Sequence, residues 1–181
     1  SPHLLDFRER IRIDGRMDDC GLLHARLERD WMIWERFELS FFEAATVLAF
    51  ARFREAGVEV AVLEVGLGGR LDATNTVEPI LSVITSLGMD HAQILGRTAA
   101  AIAVEKAGIF RAGVPAVTNG GPPGAPAALE ARARDVGACL YPRNRCVRVS
   151  GITPSAAAAA VRFRIAPRAG APAGFTLPPD G

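Results

Sequence analysis

Several things are scarce in this 181-residue chain, and each scarcity narrows what it can be. Its three cysteines, Cys20, Cys139 and Cys146, are odd in number and show no C-x-x-C spacing. That argues against a disulfide framework and a structural zinc site and makes an intracellular protein the expectation. No apolar run approaches the roughly 20 residues that span a bilayer, so no transmembrane helix and no membrane partner are expected. Charge of either sign is not in excess: 21 basic residues face 20 acidic ones for a net charge of +1, without a long basic block. Nucleic-acid binding driven by bulk charge is thereby excluded. An initiator Met is missing, since the chain opens Ser1-Pro2-His3 with no signal-peptide pattern and reads as an interior start. Lysine is almost absent too: of the 21 basic residues 20 are Arg, and Lys106 stands alone.

What is present is enough for a buried core. Apolar residues make up 49% of the chain and charged ones 23%, which excludes disorder for most of it, and the length suits one domain of about 100–200 residues. Residues 4–13 end in an alternating stretch expected to form a short strand, closed by a turn at Asp14-Gly15. Residues 17–34 read as a helix in which Trp31 and Trp34, three apart, pack in the core rather than form a ligand platform. Ser40-Phe41-Phe42-Glu43 fits a capping box opening a helix through Ala56, with Gly57 at its left-handed end. Residues 58–65 and 81–86 read as two buried parallel strands flanking a glycine-rich loop. Thr98 caps a helix to about Ile109, Pro115–Thr118 makes a third strand, and Pro126–Val136 a further helix. This alternation implies a parallel α/β sheet. Beyond Tyr141, Val161–Ile165 alternates as a strand and the rest, through five alanines and a Pro/Ala/Gly-rich tail, is expected to form antiparallel strands and loops.

In open parallel sheets ligands lie beyond the carboxyl ends of the strands. Glu64 ends the first central strand, and Asp90-His91 follows the second. If the two strands are neighbours, a carboxylate and an imidazole meet at one edge, a set suited to an octahedral ion such as Mg²⁺ that keeps water and phosphate oxygens. The alternative is an ion pair for Glu64 and a loop position for His91. The run Gly66-Leu67-Gly68-Gly69-Arg70 is no phosphate loop by itself, for it lacks G-x-x-x-x-G-K-[ST] and the chain has no Lys-Ser or Lys-Thr pair. A lone helix lysine is ordinarily a solvated surface group. Yet in a chain that uses Arg everywhere else, Lys106 marks a position where an amine does what a guanidinium cannot: lose its proton, act as a nucleophile, or take up carbon dioxide.

Taken in order, Ser40–Glu43, the run Glu64-Val65-Gly66-Leu67-Gly68-Gly69-Arg70-Leu71-Asp72-Ala73-Thr74-Asn75, Ser82–Ser86 with Asp90-His91, and Glu105-Lys106-Ala107-Gly108-Ile109 resemble the folylpolyglutamate synthase/dihydrofolate synthase family of the Mur ligase superfamily. The resemblance covers roughly residues 1–145. It implies an α/β, parallel-sheet P-loop ATPase domain and an ATP-dependent amide ligase of folate biosynthesis. A carboxylate of dihydropteroate or a folate would be activated as an acyl phosphate and attacked by L-glutamate, with Mg²⁺ as cofactor and ATP as co-substrate. Carried over, Ser1, Glu64 and His91 match the magnesium ligands, and Lys106 matches a carbamylated lysine (N6-carboxylysine). Lys106, His91 and Glu64 form the catalytic set. Ser40, Phe41, Phe42, Glu43, Leu71, Asp72 and Ala73 match the pterin-binding segments, with Phe42 stacking on the ring and Asp72 bonding its nitrogens. A cytoplasmic monomer is implied.

Two departures qualify that resemblance. The family's P-loop would precede Ser1 and its C-terminal domain would follow Gly181, so residues 1–181 are expected to be a partial central ATPase domain, truncated at its N-terminus and inactive alone, with no nucleotide-binding residues of its own. A Mur-type ligase of another acid, and a non-catalytic pterin-binding pseudoenzyme module, are the competing readings.

Overall fold

The computed structural model describes residues 3–155 and 160–167. They belong to two compact units, residues 1–77 and 78–181.

The first unit is assembled from local signals. Asp6 and Glu9 form a capping box around a 3₁₀ turn, Phe7–Arg10. Strands β1 (Arg12–Ile13) and β2 (Arg16–Met17) pair antiparallel across Asp14 and Gly15, whose φ angles of 51° and 75° are the two positive values that a tight hairpin turn needs. Helix α1 (Cys20–Arg36) starts at Asp19, whose carboxylate accepts the Leu22 N–H at 2.9 Å. Helix α2 (Phe41–Glu55) starts at Ser40 with both halves of the expected capping box in place and ends at Ala56, with Gly57 left-handed beyond it. Ile11, Leu23, Trp34 and Leu48 form the core. Trp34 is 8% exposed, but Trp31 is 54% exposed, so only one of the two tryptophans packs as expected. Their spacing of three puts both near one stripe, and the stripe is wider than the core it faces.

A second apolar cluster is not what holds this unit's ends together. Arg52 on α2 donates to Asp18 from Nε at 2.7 Å and from Nη2 at 3.1 Å, both side chains being buried, and to Glu55 from Nη1 at 2.5 Å. Arg26 on α1 reaches Glu55 at 2.6 Å and also bonds Asp30. The hairpin exit, α1 and α2 are thus tied by one chain of charges.

Residues 58–65 form no strand among the described residues, contrary to the expectation. Val60 and Val62 are 68% and 94% exposed. The β-branched composition is there, but a strand is defined by a hydrogen-bonded neighbour, and this run has none among the described residues. A 3₁₀ turn, Ala73–Thr76, closes the unit.

The second unit carries the parallel sheet. Strands β3 (Ser82–Ile84), β4 (Pro115–Thr118) and β5 (Cys139–Pro142) pair in that order, with Ser82 opposite Ala116 and Ala116 opposite Leu140. The strand expected over 81–86 is therefore shorter, and it pairs with β4. Between β3 and β4 come a short helix α3 (Ala92–Leu95) and helix α4 (Ala99–Lys106), capped by Thr98 and continued by a 3₁₀ turn to Ile109. Helix α5 (Ala125–Val136) joins β4 to β5 and ends at Gly137. Ile84, Ile102, Phe110, Ala116 and Leu129 are each at most 5% exposed and make an apolar core with the alanines of α4 and α5. A short helix α6 (Arg143–Cys146) leads into β6 (Val147–Ser155), which pairs antiparallel with β7 (Ala160–Pro167) through an irregularity between Ser150 and Thr153. The expected α/β class with antiparallel strands late in the chain is what is found. The alanine run over 156–159 and the tail beyond 167 lie outside the described residues.

Candidate functional site

In the first unit two of the expected substrate segments meet. The capping box fixes the first turn of α2: the Ser40 N–H donates to Glu43 Oε2 at 2.8 Å and the Ser40 hydroxyl to the same oxygen at 2.6 Å. These bonds hold the Glu43 carboxyl below its usual range. With that turn fixed, Phe42 and Phe41 leave the helix about 100° apart. The far end of the Phe42 ring rests on Gly66: a Cβ there would come within 2.7 Å of Cζ and 2.9 Å of both Cε atoms. Only a residue without a side chain admits the ring at that distance.

Asp72 organises the same loop. Its Oδ2 accepts the Gly66 and Leu67 N–H groups, each at 3.0 Å, and its Oδ1 accepts the Thr74 N–H at 3.0 Å and the Thr74 hydroxyl at 2.6 Å. Four donors from its own loop use what an ionised carboxylate offers. Asp72, expected to bond a ligand's nitrogens, is here engaged in holding Gly66, and through it the floor under Phe42. Asx turns of this kind are what a short acid does beside a backbone that doubles back. Ala73 begins the 3₁₀ turn that Asp72 caps, and Leu71 is 82% exposed. Phe41 turns elsewhere, edge-on to Phe7 at 5.8 Å and under the Arg10 guanidinium at 5.5 Å.

The metal-ligand candidates are distributed differently. Glu64 is exposed and not at the end of a buried strand. It is engaged in an interaction of its own. Ser1 lies outside the described residues. His91 belongs to the second unit, at the N-terminal end of α3, with φ 55° and ψ 29°. A non-glycine residue in that left-handed region costs on the order of 1–3 kcal/mol and persists where the surroundings impose it. Among the described residues no three His, Cys, Asp or Glu side chains gather to hold a metal ion. A lone carboxylate or a lone imidazole is still a donor suited to an octahedral ion that takes its remaining ligands from water and phosphate oxygens.

Lys106 is the last residue of α4 and is half-buried. Its place in the last turn sets a basic side chain beside the free carbonyls of the helix end.

Beyond the carboxyl ends of β3 and β4 lies an open cavity of about 490 Å³ bordered by Thr85, Thr118, Asn119 and Arg143. Thr118 is 2% exposed, its hydroxyl accepts the Gly120 N–H at 3.1 Å, and Arg143 bonds the Asn119 amide oxygen. The strand-end rule points to Thr118 and Asn119; Arg143, 24 residues later than Asn119, carries no signal in the sequence.

Residues 37–139 match the Mur ligase middle domain. The folylpolyglutamate synthase of Lacticaseibacillus casei is 40% identical over 144 residues, which is 76% of this chain and 34% of that protein. A solved FPGS–AMPPCP–folate complex is 35% identical with a TM-score of 0.81, covering 93% of this chain and 42% of the other. The bifunctional folylpolyglutamate synthase/dihydrofolate synthase of Yersinia pestis, solved with AMPPNP and a Mn ion, is 39% identical with a TM-score of 0.75 over 83% of this chain and 36% of that one. This chain therefore spans between about a third and two-fifths of the length of these three relatives.

Proposed function

The chain belongs to the Mur ligase middle-domain family, and from that premise we propose that the whole protein is an ATP-dependent ligase of folate biosynthesis. It would join L-glutamate to dihydropteroate, to a folate, or to both. What most supports the reading is the meeting of Phe42 with the loop pinned by Asp72, since a ring rigidly seated beside a polar loop is what a flat pterin needs.

In this reading the substrate's free carboxylate attacks the γ-phosphorus of ATP, the bond to ADP breaks, and an acyl phosphate forms. The glutamate amine then attacks the acyl carbon, loses a proton, and inorganic phosphate leaves. Phe42 orients the pterin and the Leu71-Asp72-Ala73 loop borders its polar edge, so the carboxylate is presented in one place. Glu64 and His91, with Ser1, would hold Mg²⁺, which when bound neutralises charge building up on the phosphates. Lys106 would release one proton to become the free amine, form an N–C bond to carbon dioxide and release a second proton, replacing a cation with an anion on the α4 terminus. The reaction is assigned to the cytoplasm and to a monomer. The 181 residues contain no G-x-x-G-K-[ST], and in this reading ligation belongs to the whole protein.

The test is ATP-dependent incorporation of labelled glutamate by the whole protein, offered dihydropteroate and tetrahydrofolate separately. Incorporation into neither overturns the reading. Lys106→Arg, which keeps the charge and cannot form a stable carbamate, is expected to abolish incorporation with the circular dichroism spectrum unchanged; near-normal turnover would remove Lys106 from the site.

A further inference from the structure

The first unit contains a second cavity that the ligase reading does not use. It has a volume of about 450 Å³ and lies between the C-terminal half of α1 and the first turns of α2, within the size range of small-molecule sites. Phe7, Trp31, Trp34 and Phe41 supply four aromatic rings to its wall, and Glu35 and Glu38 are its only ionisable lining side chains. Phe41 faces it while its neighbour Phe42 faces Gly66, so the helix separates this cavity from the loop held by Asp72.

The two carboxylates set it apart from an ordinary apolar hollow. The acids that join the helices are paired: Asp18, Asp30 and Glu55 are each met by at least two bonds from arginines. Glu35 and Glu38 have no such partner among the described residues, although the chain carries 20 arginines. One of the four rings already packs with a flat cation, the Arg10 guanidinium lying 5.5 Å from the Phe41 centroid. A neutral aromatic guest would fill the hollow and leave the carboxylates unanswered, and an anionic one would be repelled. A guest with an aromatic body and a planar cationic end satisfies both, stacking against indole and presenting paired N–H donors to a carboxylate.

We propose that this cavity is a binding site for a small aromatic molecule bearing an amidinium-like group, its ring against Trp31 and Trp34 and its charged end at Glu35 and Glu38. The site is independent of the folate-ligase reading, and its test does not measure ligation. Trp31 and Trp34 are the only tryptophans in the chain, so intrinsic emission reports occupancy directly. Benzamidine, benzamide and benzoate share a shape and differ in charge. Titrated into the full chain at low ionic strength, benzamidine is expected to change the emission saturably and to bind at least tenfold more tightly than benzamide, with benzoate weakest. Glu35→Gln together with Glu38→Gln, both at exposed positions, should erase that preference while leaving the unliganded spectrum unchanged. Equal binding of benzamidine and benzamide, or a preference that survives in the double variant, overturns the proposal. Tighter binding of N-acetyl-argininamide than of benzamidine also overturns it, because the occupant would then be an arginine of a polypeptide.

Discussion

The two units reach stability by different routes. In the second, ten buried apolar residues, half of them alanines, pack as one cluster, and the only buried polar side chains among the described residues are Ser82 and Thr118. In the first, four buried apolar residues share the interior with Asp18, Asp30, Arg52, Thr46 and Thr74. Small alanines let α4 and α5 approach closely, so one kind of force suffices there. The first unit places long helices over a small core and joins them through charge. Breaking a buried pair costs more than the pair contributes, because the survivor is left without a counter-charge. The first unit is accordingly the more conditional of the two.

Acid should separate them most. Arg52 holds the Asp18 carboxyl below its ordinary value, and Arg26 and Arg52 do the same for Glu55. Because these folded-state values are depressed, the stabilisation is complete above the ordinary carboxylate pKa of about 4 and is lost as pH falls through the lower folded values. Between pH 5 and pH 2, in order of magnitude, tryptophan emission from the first unit should collapse while amide protection in β3 and β4 persists. Simultaneous loss in both units would show that the contrast is false.

Arg52→Ala removes one partner of a buried pair and is expected to cost roughly 3–5 kcal/mol in urea unfolding followed by tryptophan emission. Asp18→Leu combined with Arg52→Met should recover most of that loss, and a double variant as unstable as the single one would mean the pair is not acting through charge. Gly66→Ala forces a methyl group into the Phe42 ring and should cost about 1–3 kcal/mol; adding Phe42→Ala should relieve it, and additive losses would exclude the contact. Ser40→Ala removes half of the capping box and should cost about 1 kcal/mol, measured by the same unfolding curve.

Features set by neighbours in sequence were legible in advance. The Ser40–Glu43 box, the Thr98 cap, Gly57 and the Asp14-Gly15 turn all appear as expected because each is a bond or a dihedral made within a few residues. Residues 58–65 have the β-branched composition of a strand, but composition states a preference, while a strand exists only with a neighbour. The same limit hides Arg52 and Asp18, 34 residues apart, and Asn119 with Arg143. Of the candidate site, the segments were legible and their tasks less so. Asp72 could be named as important from its motif, but four bonds to its own loop emerge only when the backbone turns back on itself.

Lys106 gives the chain an unusual chemical addressability. One ε-amine in 181 residues, half-buried at the end of α4, means that any amine-selective reagent meets a single side-chain target. A ¹³C carbonyl resonance grown from labelled bicarbonate would need no assignment beyond distinguishing it from the terminal amine. Lysine-specific proteolysis would cut at one bond, dividing the sheet's first strand from its second, and resistance to that cut would measure how firmly α4 is held.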